Sequence, residues 1–103
     1  MIQTFAQAGQ LPDETEQQAR QLAQIMAECL ELFRAKNRDY GSSWKKAGLP
    51  GLLVRMQDKI ERLVNLSRDG STIHVKTESL EDTLRDFLVY AGLALMYLRE
   101  VQG

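Results

Sequence analysis

The sequence predicts an all-α protein, a bundle of three long helices. Three segments carry apolar side chains at intervals of three and four residues, the spacing of a helix with one buried face. No segment alternates apolar and polar residues over a length that would form a sheet. With 103 residues, of which 44% are hydrophobic and 26% charged, the chain has the size and composition of a single globular domain. We therefore expect residues 12–103 to form one helical domain after a loose arm over residues 1–11.

The first predicted helix begins at Pro12 and Asp13, which favour a helix start, and runs to about Lys36. Its expected buried stripe consists of Ala19, Leu22, Met26, Cys29, Leu30 and Phe33. The following residues, 37–51, contain three glycines and a proline. Because these residue types interrupt helices, we predict a structured loop here that holds one short helical turn.

The second predicted helix spans residues 52–67 and ends before Gly70. Its stripe consists of Leu53, Met56, Ile60, Leu63 and Val64. An extended link, "TIHVKT", is expected over residues 72–77. Thr77 or Ser79 would then cap a third helix that runs nearly to the C-terminus.

The third predicted helix is apolar around much of its circumference. Its main stripe consists of Leu80, Leu84, Phe87, Leu88, Ala91, Leu95 and Leu98. A second apolar face consists of Val89, Leu93, Met96, Tyr97 and Val101. Because a single thin bundle would leave one of these faces exposed, we expect a homodimer or homotetramer.

Charge and composition exclude several classes of protein. A net charge of −1 argues against a protein that binds nucleic acid mainly by neutralising phosphates. The longest strongly apolar run, residues 87–98, is shorter than the ~20 residues of a membrane-spanning helix, and the sequence begins without a secretion signal. We therefore expect a cytoplasmic protein without a membrane partner. Cys29 is the only cysteine, which excludes a disulfide within the chain and a cysteine-based metal site.

Four carboxylates lie within the second and third helices. Asp58 and Glu61 are three residues apart and Asp82 and Asp86 four apart, so each pair shares a helix face. If the two helices pack antiparallel, both pairs could converge on one cleft, where Mg²⁺ or Mn²⁺ would relieve their repulsion. Acids at these spacings are also common on solvated helix faces, where neighbouring cations pair with them.

Residues 34–46 carry five basic residues against the single acid Asp39, and they include Tyr40 and Trp44. An aromatic ring there could stack on a base while cations contact phosphates, so a nucleotide would explain both the basic and the acidic features. The alternative is that the two aromatic residues close the end of the bundle. The residues expected to bind substrate are Lys36, Arg38, Tyr40, Trp44, Lys45, Arg55 and Lys59.

Two motifs resemble those of the MazG-like, all-α nucleoside triphosphate pyrophosphohydrolases, which carry E-E-x-x-E on one helix and E-E-L-G-D on a later one. "QDKIE", residues 57–61, is similar to the first motif and retains Glu61. "DTLRD", residues 82–86, is similar to the second, with Thr83 where the family has a glutamate. The upstream "DYGSSW" resembles the tryptophan-containing loop that precedes the acidic helix in those enzymes.

This resemblance implies a Mg²⁺-dependent hydrolase that converts a (d)NTP or modified nucleotide to the monophosphate and pyrophosphate. Glu61 would be the catalytic residue. The implied metal ligands are Asp58, Glu61, Asp82 and Asp86. Because Thr83 and Asp58 depart from the family pattern, an alternative is a helical nucleotide-binding or oligomerisation module that keeps the fold without the chemistry.

Overall fold

The structure, a computed structural model, describes residues 13–68 and 73–102, without the side chains of 73–76 and 102. It contains three helices, α1 (Glu14–Tyr40), α2 (Trp44–Arg68) and α3 (Ile73–Gln102), and the described ranges contain no strand. The all-α prediction is therefore confirmed. The arm predicted over residues 1–11 lies outside the described residues.

Helix α1 begins close to the predicted start, and Asp13 is its capping residue. The Asp13 carboxylate accepts a hydrogen bond of 2.7 Å from the backbone N–H of Thr15, and two glutamates lie in the first turn, where the helix dipole favours acids. The helix ends at Gly41, whose φ of 65° lies in the left-handed region that glycine tolerates best. Its N–H donates to the carbonyl of Asn37 over 2.7 Å. Helix α1 thus continues four residues beyond the predicted end at Lys36.

The loop predicted over residues 37–51 was wrong along most of its length. Residues 41–43 form a turn, and α2 already begins at Trp44. The glycines and the proline do not form a long loop. Instead, α2 is kinked at Gly48, whose φ of 66° and ψ of −175° are not helical. Pro50 follows two residues later, in the first turn after the kink, where its missing N–H leaves no helical hydrogen bond unmade. Likewise, residues 73–76 of the predicted extended link are already helical.

Helices α2 and α3 form an antiparallel pair, the arrangement on which the acid-cleft hypothesis depends. Near the start of α2, Lys45 lies 2.8 Å from Glu100. Near its end, the Nε of Arg62 donates to the hydroxyl of Thr83 over 3.2 Å. Partner numbers on α3 therefore fall as numbers on α2 rise.

Helix α1 crosses α3 and, within the described residues, packs against α3 but not against α2. Arg85 of α3 bonds Glu28 over 3.0 Å, and Lys36 lies 3.3 Å from Asp86. The thiol of Cys29 is buried at this crossing, 3.9 Å from the carbonyl of Arg85. A cleft consequently opens between α1 and α2, with α3 as its floor.

The buried faces differ from the predicted stripes. The core consists of Leu52, Leu93 and Ala94, with aromatic and aliphatic residues packed around it. Most of the predicted stripes remain exposed: Leu22, Met26 and Leu30 on α1, Leu53, Ile60 and Val64 on α2, and Leu84, Leu88 and Leu95 on α3. Because α2 and α3 carry apolar residues on more than one side, periodicity alone did not identify the side that meets the neighbouring helix.

The single chain is extended. Its radius of gyration is 18.2 Å, whereas a compact domain of about 100 residues has roughly 13 Å. Residues 14–28 of α1 are all exposed. None of the helices in the described part of the chain has the length and apolar character needed to cross a bilayer.

Candidate functional site

A cavity of about 500 Å³ lies in the cleft between α1 and α2, a size typical of small-molecule sites. The core residues Leu52 and Leu93 form part of its apolar base. Its polar and aromatic lining consists of Phe33, Lys36, Asn37, Tyr40, Ser43, Trp44, Arg55, Asp86 and Tyr90. We refer to this site as the α1–α2 cavity. It combines aromatic surface, three basic groups of α1 and α2 at or near its wall, and one carboxylate.

One wall of the cavity exists because α1 continues through Tyr40. Residues 33, 36, 37 and 40 are separated by three or four positions, so a continuous helix places them along one side. All four line the cavity. Had the helix ended at Lys36, as predicted, Asn37 and Tyr40 would not have followed this spacing.

Asp86 lies between two lysines from different helices. Its carboxylate is 3.3 Å from the Nζ of Lys36 on α1 and 3.5 Å from the Nζ of Lys59 on α2. The Asp86 side chain is only 23% exposed, so water screens these pairs less than it screens surface ion pairs. With Arg55 also on the wall, cations outnumber carboxylates here. The α1–α2 cavity therefore favours an anionic ligand.

Two buried polar atoms of residues that line the cavity lack hydrogen-bond partners. The Oδ1 of Asn37, an acceptor, and the Nε1 of Trp44, a donor, are shielded from solvent and unpaired. Each such atom costs about 1–3 kcal/mol relative to a paired one. Both residues line the α1–α2 cavity through other atoms, while these two atoms are enclosed by the protein itself.

The four predicted carboxylates do not converge. Asp58 and Glu61 border a separate shallow depression on α2, whereas Asp86 lies in the α1–α2 cavity. Asp82 is exposed and lies 3.3 Å from Arg85. Among the described residues, no three carboxyl, thiol or imidazole groups lie close enough together to hold a metal ion.

Thr83 stands where the pyrophosphohydrolases that this chain resembles have a glutamate, and here it is a buried, hydrogen-bonded residue. The residue is 3% exposed, and its hydroxyl donates to the carbonyl of Ser79 over 2.7 Å while accepting from Arg62. This hydroxyl thereby joins α2 to α3. A glutamate in its place would have to fit a buried site of hydroxyl size.

The remaining predicted substrate-binding residues lie outside the cavity lining. Lys45 pairs with Glu100 over 2.8 Å, and its Nζ lies 5.8 Å from the centre of the Trp44 ring. Arg38 is exposed and does not line the cavity. The structure therefore groups Lys36, Tyr40, Trp44 and Arg55 together and leaves Arg38 and Lys45 apart. Lys59 also lies outside the lining, although its Nζ is 3.5 Å from Asp86.

Arg85 links α3 to α1 through Glu28 and also pairs with two acids of its own helix. It bonds Glu28, Glu81 and Asp82. The hydrogen bond to Glu28 is the main reason that the pKa of Arg85 is raised. Burial raises the pKa of the neighbouring Cys29 thiol, and the charge of Arg85 partly opposes this rise. Both residues hold the helices together rather than face the cavity.

Asn37, Phe33, Val89 and Tyr90 line the cavity but were not identified from the sequence. The available signal was the spacing of Phe33, Lys36 and Asn37, which continues the periodicity of α1. The glycines and the proline downstream concealed it, since they indicated that the helix had ended.

The fold and the cavity define an all-α domain with a cavity lined by basic and aromatic residues. Residues 36–98 match the family model described as nucleotide modification associated domain 1, and the chain belongs to this family. The match begins at Lys36 and includes most of the cavity lining, but it excludes the exposed residues 14–28 of α1. Comparisons with curated proteins and with solved structures give no significant match. The domain is therefore nucleotide-related.

Proposed function

We propose that the α1–α2 cavity binds a nucleotide, with the base at the aromatic lining and the phosphates at the basic groups. The observation that carries this proposal is the joint presence of Tyr40, Trp44, Lys36 and Arg55 around one cavity of about 500 Å³. Aromatic surface beside cations is the arrangement that suits a base joined to a phosphate chain. The family description, nucleotide modification associated domain 1, agrees with such a ligand.

We further propose that the bound nucleotide is a (d)NTP or a modified relative, hydrolysed to the monophosphate and pyrophosphate with Mg²⁺ or Mn²⁺. A cluster of three acids is not required, because Mg²⁺ commonly uses one or two carboxylates together with substrate phosphates. Asp86 is the carboxylate in the cavity. It could share such an ion, which would polarise a phosphoryl oxygen, if Lys36 and Lys59 turned from Asp86 towards the phosphates.

The basic side chains of the cavity would then contribute mainly by stabilising negative charge on the phosphates. Lys36 and Arg55 stand at the cavity wall, where they can stabilise charge that develops on departing pyrophosphate. The aromatic lining would hold the base and fix the direction of the phosphate chain. Glu61 was predicted to activate water, but it lies in the separate depression. The substitution Glu61→Gln therefore tests whether this residue takes part.

The second candidate is a nucleotide-binding module without catalysis. Two observations favour it: Asp86 is already paired with two lysines, and the four acids do not converge within one chain. Such a module would bind nucleotide without turning it over. Assays of binding and of product formation on the same preparation separate the two functions.

Nucleotide binding is expected to change the fluorescence of Trp44, the single tryptophan of the chain, because its ring lines the cavity. Titration of nucleoside triphosphates should give a saturable change. Arg55→Ala should weaken the affinity about tenfold or more, because it removes a phosphate-directed cation. Arg38→Ala removes the same charge outside the cavity and serves as the matched control. Equal effects of the two variants, or no saturable change with any nucleotide, would contradict the site.

We also propose that the chain forms a homodimer or homotetramer through the exposed apolar residues of α1. Leu22, Ile25, Met26 and Leu30 are 41–56% exposed, and they recur at helical spacing along one side. The extended shape and the small core leave much apolar surface for a second copy to cover. We expect the partner on this side of α1 to be a second copy of the chain. Several apolar residues of α2 and α3 are also exposed, so one copy can offer apolar surface to the α1 of another.

Leu22→Glu is expected to shift the assembly towards monomer, because it places a charge within the apolar side of α1. Sedimentation at micromolar concentration measures the change. Gln24→Glu alters a position on the other side of the same helix and should leave the mass unchanged. A wild-type chain that sediments as a monomer would refute the assembly.

A further inference from the structure

Asp86 and the two lysines that contact it come from three different helices. The Oδ1 of Asp86 on α3 lies 3.3 Å from the Nζ of Lys36 on α1, and its Oδ2 lies 3.5 Å from the Nζ of Lys59 on α2. Each carboxylate oxygen therefore has its own ammonium group. Because α1 and α2 do not pack against each other within the described residues, these ion pairs bring together charged groups from both sides of the cleft.

Two ammonium groups around one anion are also what a phosphate group requires. A phosphate offers several oxygens that share negative charge, and lysine side chains are common partners of such oxygens. A carboxylate is the side-chain group closest to this chemistry, since its two oxygens share one charge. Asp86 lines the α1–α2 cavity. A phosphate that enters the cavity would thus meet two lysines that Asp86 already neutralises.

We propose that Asp86 is an internal competitor of the phosphates, which neutralises Lys36 and Lys59 and thereby weakens the binding of metal-free nucleotide. This inference rests on the nucleotide-binding function proposed above. A phosphate must break two ion pairs before it gains the same two cations, and the Asp86 carboxylate also repels it. Because the Asp86 side chain is only 23% exposed, water screens both effects less than on an open surface.

Arg55 has no such competitor. It lines the same cavity, and no carboxylate in the described part of the chain lies within ion-pair distance of its guanidinium group. Arg55 is therefore available to a phosphate at once, whereas the two lysines become available only when Asp86 releases them. Removal of the Asp86 charge should strengthen phosphate binding through Lys36 and Lys59.

The test is isothermal titration calorimetry with inorganic triphosphate and with the α,β-imido analogues of dATP, dCTP, dGTP and dTTP. Titrations in EDTA leave only the charges of the chain and the ligand to act. We expect Asp86→Asn to bind inorganic triphosphate and at least one nucleotide analogue about tenfold or more tightly than the wild-type chain. The reason is that the amide keeps the shape of the side chain and frees two ammonium groups.

Asp82→Asn is the matched control. It removes the same charge one turn away on α3, from a side chain that is 80% exposed and lies 3.3 Å from Arg85. Because solvent screens this charge, the substitution should change the affinity less than about threefold. An equal gain in Asp82→Asn and Asp86→Asn would reduce the effect to the net charge of the chain and overturn the competition.

A double-mutant cycle assigns the effect to the ion pairs. Lys36→Gln should weaken triphosphate binding by less than about threefold in the wild-type chain, where Asp86 neutralises the lysine. In the Asp86→Asn background the same substitution should weaken binding by about tenfold or more. Equal losses in the two backgrounds would contradict the competition. Circular dichroism melts of each variant establish that folded chains are being compared.

Carbon-13 NMR of the Asp86 carboxyl carbon follows the same exchange without any substitution. Saturating triphosphate should shift this resonance, because both lysines leave the carboxylate, while the resonance of Asp82 should stay in place. An Asp86 resonance that does not move at saturation would overturn the inference even if Asp86→Asn fails to fold.

The calorimetry also separates this inference from the nucleotide site on which it rests. Equal affinities of the wild-type chain and Asp86→Asn for every ligand that binds would overturn the competition and leave nucleotide binding intact. If Asp86→Asn gains affinity for inorganic triphosphate but no nucleotide analogue binds to any chain, in EDTA or in Mg²⁺, the nucleotide site would be refuted. The competition of Asp86 with phosphate would still hold in that case.

Discussion

Leu52→Ala is expected to lower the free energy of unfolding by about 2–5 kcal/mol. Leu52 is 1% exposed and packs with Leu93 and Ala94 at the centre of the antiparallel pair. The loss has two parts, the lost transfer of the side chain from water and the space left behind. Because the described chain has so few buried apolar residues, few neighbours can move to fill that space. Urea denaturation followed by circular dichroism measures the change.

Leu53→Ala is the matched control for this prediction. The substitution is chemically identical, but Leu53 is 50% exposed, so its cost should be clearly smaller than that of Leu52→Ala. Leu53 belongs to the stripe that periodicity predicted to be buried. A larger loss for Leu53→Ala than for Leu52→Ala would therefore contradict the observed core and favour the stripe predicted from the sequence.

The elements of this fold were predictable where a local rule decides them. Apolar spacing gave three helices, and the acid at Asp13 gave the start of the first. Gly41 and Gly48, however, were interpreted as parts of one loop although they act separately. Gly41 ends α1 with a left-handed residue, and Gly48 bends α2 without ending it. Composition identified the residues that interrupt a helix, but it could not distinguish the end of a helix from a kink within one.

The packing faces were less predictable, because they depend on which surfaces the helices present to one another. Helix α3 carries two apolar faces, and Leu93 belongs to the one regarded as secondary. On α2, the side that meets α3 includes Lys59 and Arg62, which contact Asp86 and Thr83. The acids Asp58 and Glu61 lie next to these cations in sequence but border a different depression. The spacing of residues along α2 could not show which of its side chains face α3 and which border the separate depression.

The candidate site was predicted in part for the same reason. The basic and aromatic composition of residues 34–46 indicated a ligand site, and Lys36, Tyr40 and Trp44 do line one cavity. Arg38 and Lys45 belong to the same basic segment but do not line the cavity. Which of these side chains reach the cavity depends on the continuation of α1 and the position of the turn at 41–43, neither of which composition specifies.

Asp86→Asn is expected to reduce turnover by about 100-fold or more in the proposed hydrolase. The amide keeps the shape of the side chain but removes the one carboxylate charge of the cavity lining, which lies between Lys36 and Lys59. The Asp86 carboxylate could bind a divalent ion together with the phosphates. It also attracts the ammonium groups of the two lysines and so influences their positions. The measurement is the rate of pyrophosphate release at saturating nucleotide and Mg²⁺. Unchanged turnover would remove Asp86 from the mechanism.

Two matched substitutions show which acids act with Asp86. Asp82→Asn makes the same change in a side chain that is 80% exposed and paired with Arg85, so the cavity geometry predicts little effect on turnover. Glu61→Gln, which the resemblance to pyrophosphohydrolases predicts to abolish turnover, alters a residue of the separate depression. Losses in all three variants would favour the four-acid site that the sequence suggested, brought together by a rearrangement or by assembly. A loss confined to Asp86→Asn would place the chemistry in the α1–α2 cavity, and orthophosphate as the first product would contradict cleavage between the α and β phosphorus atoms.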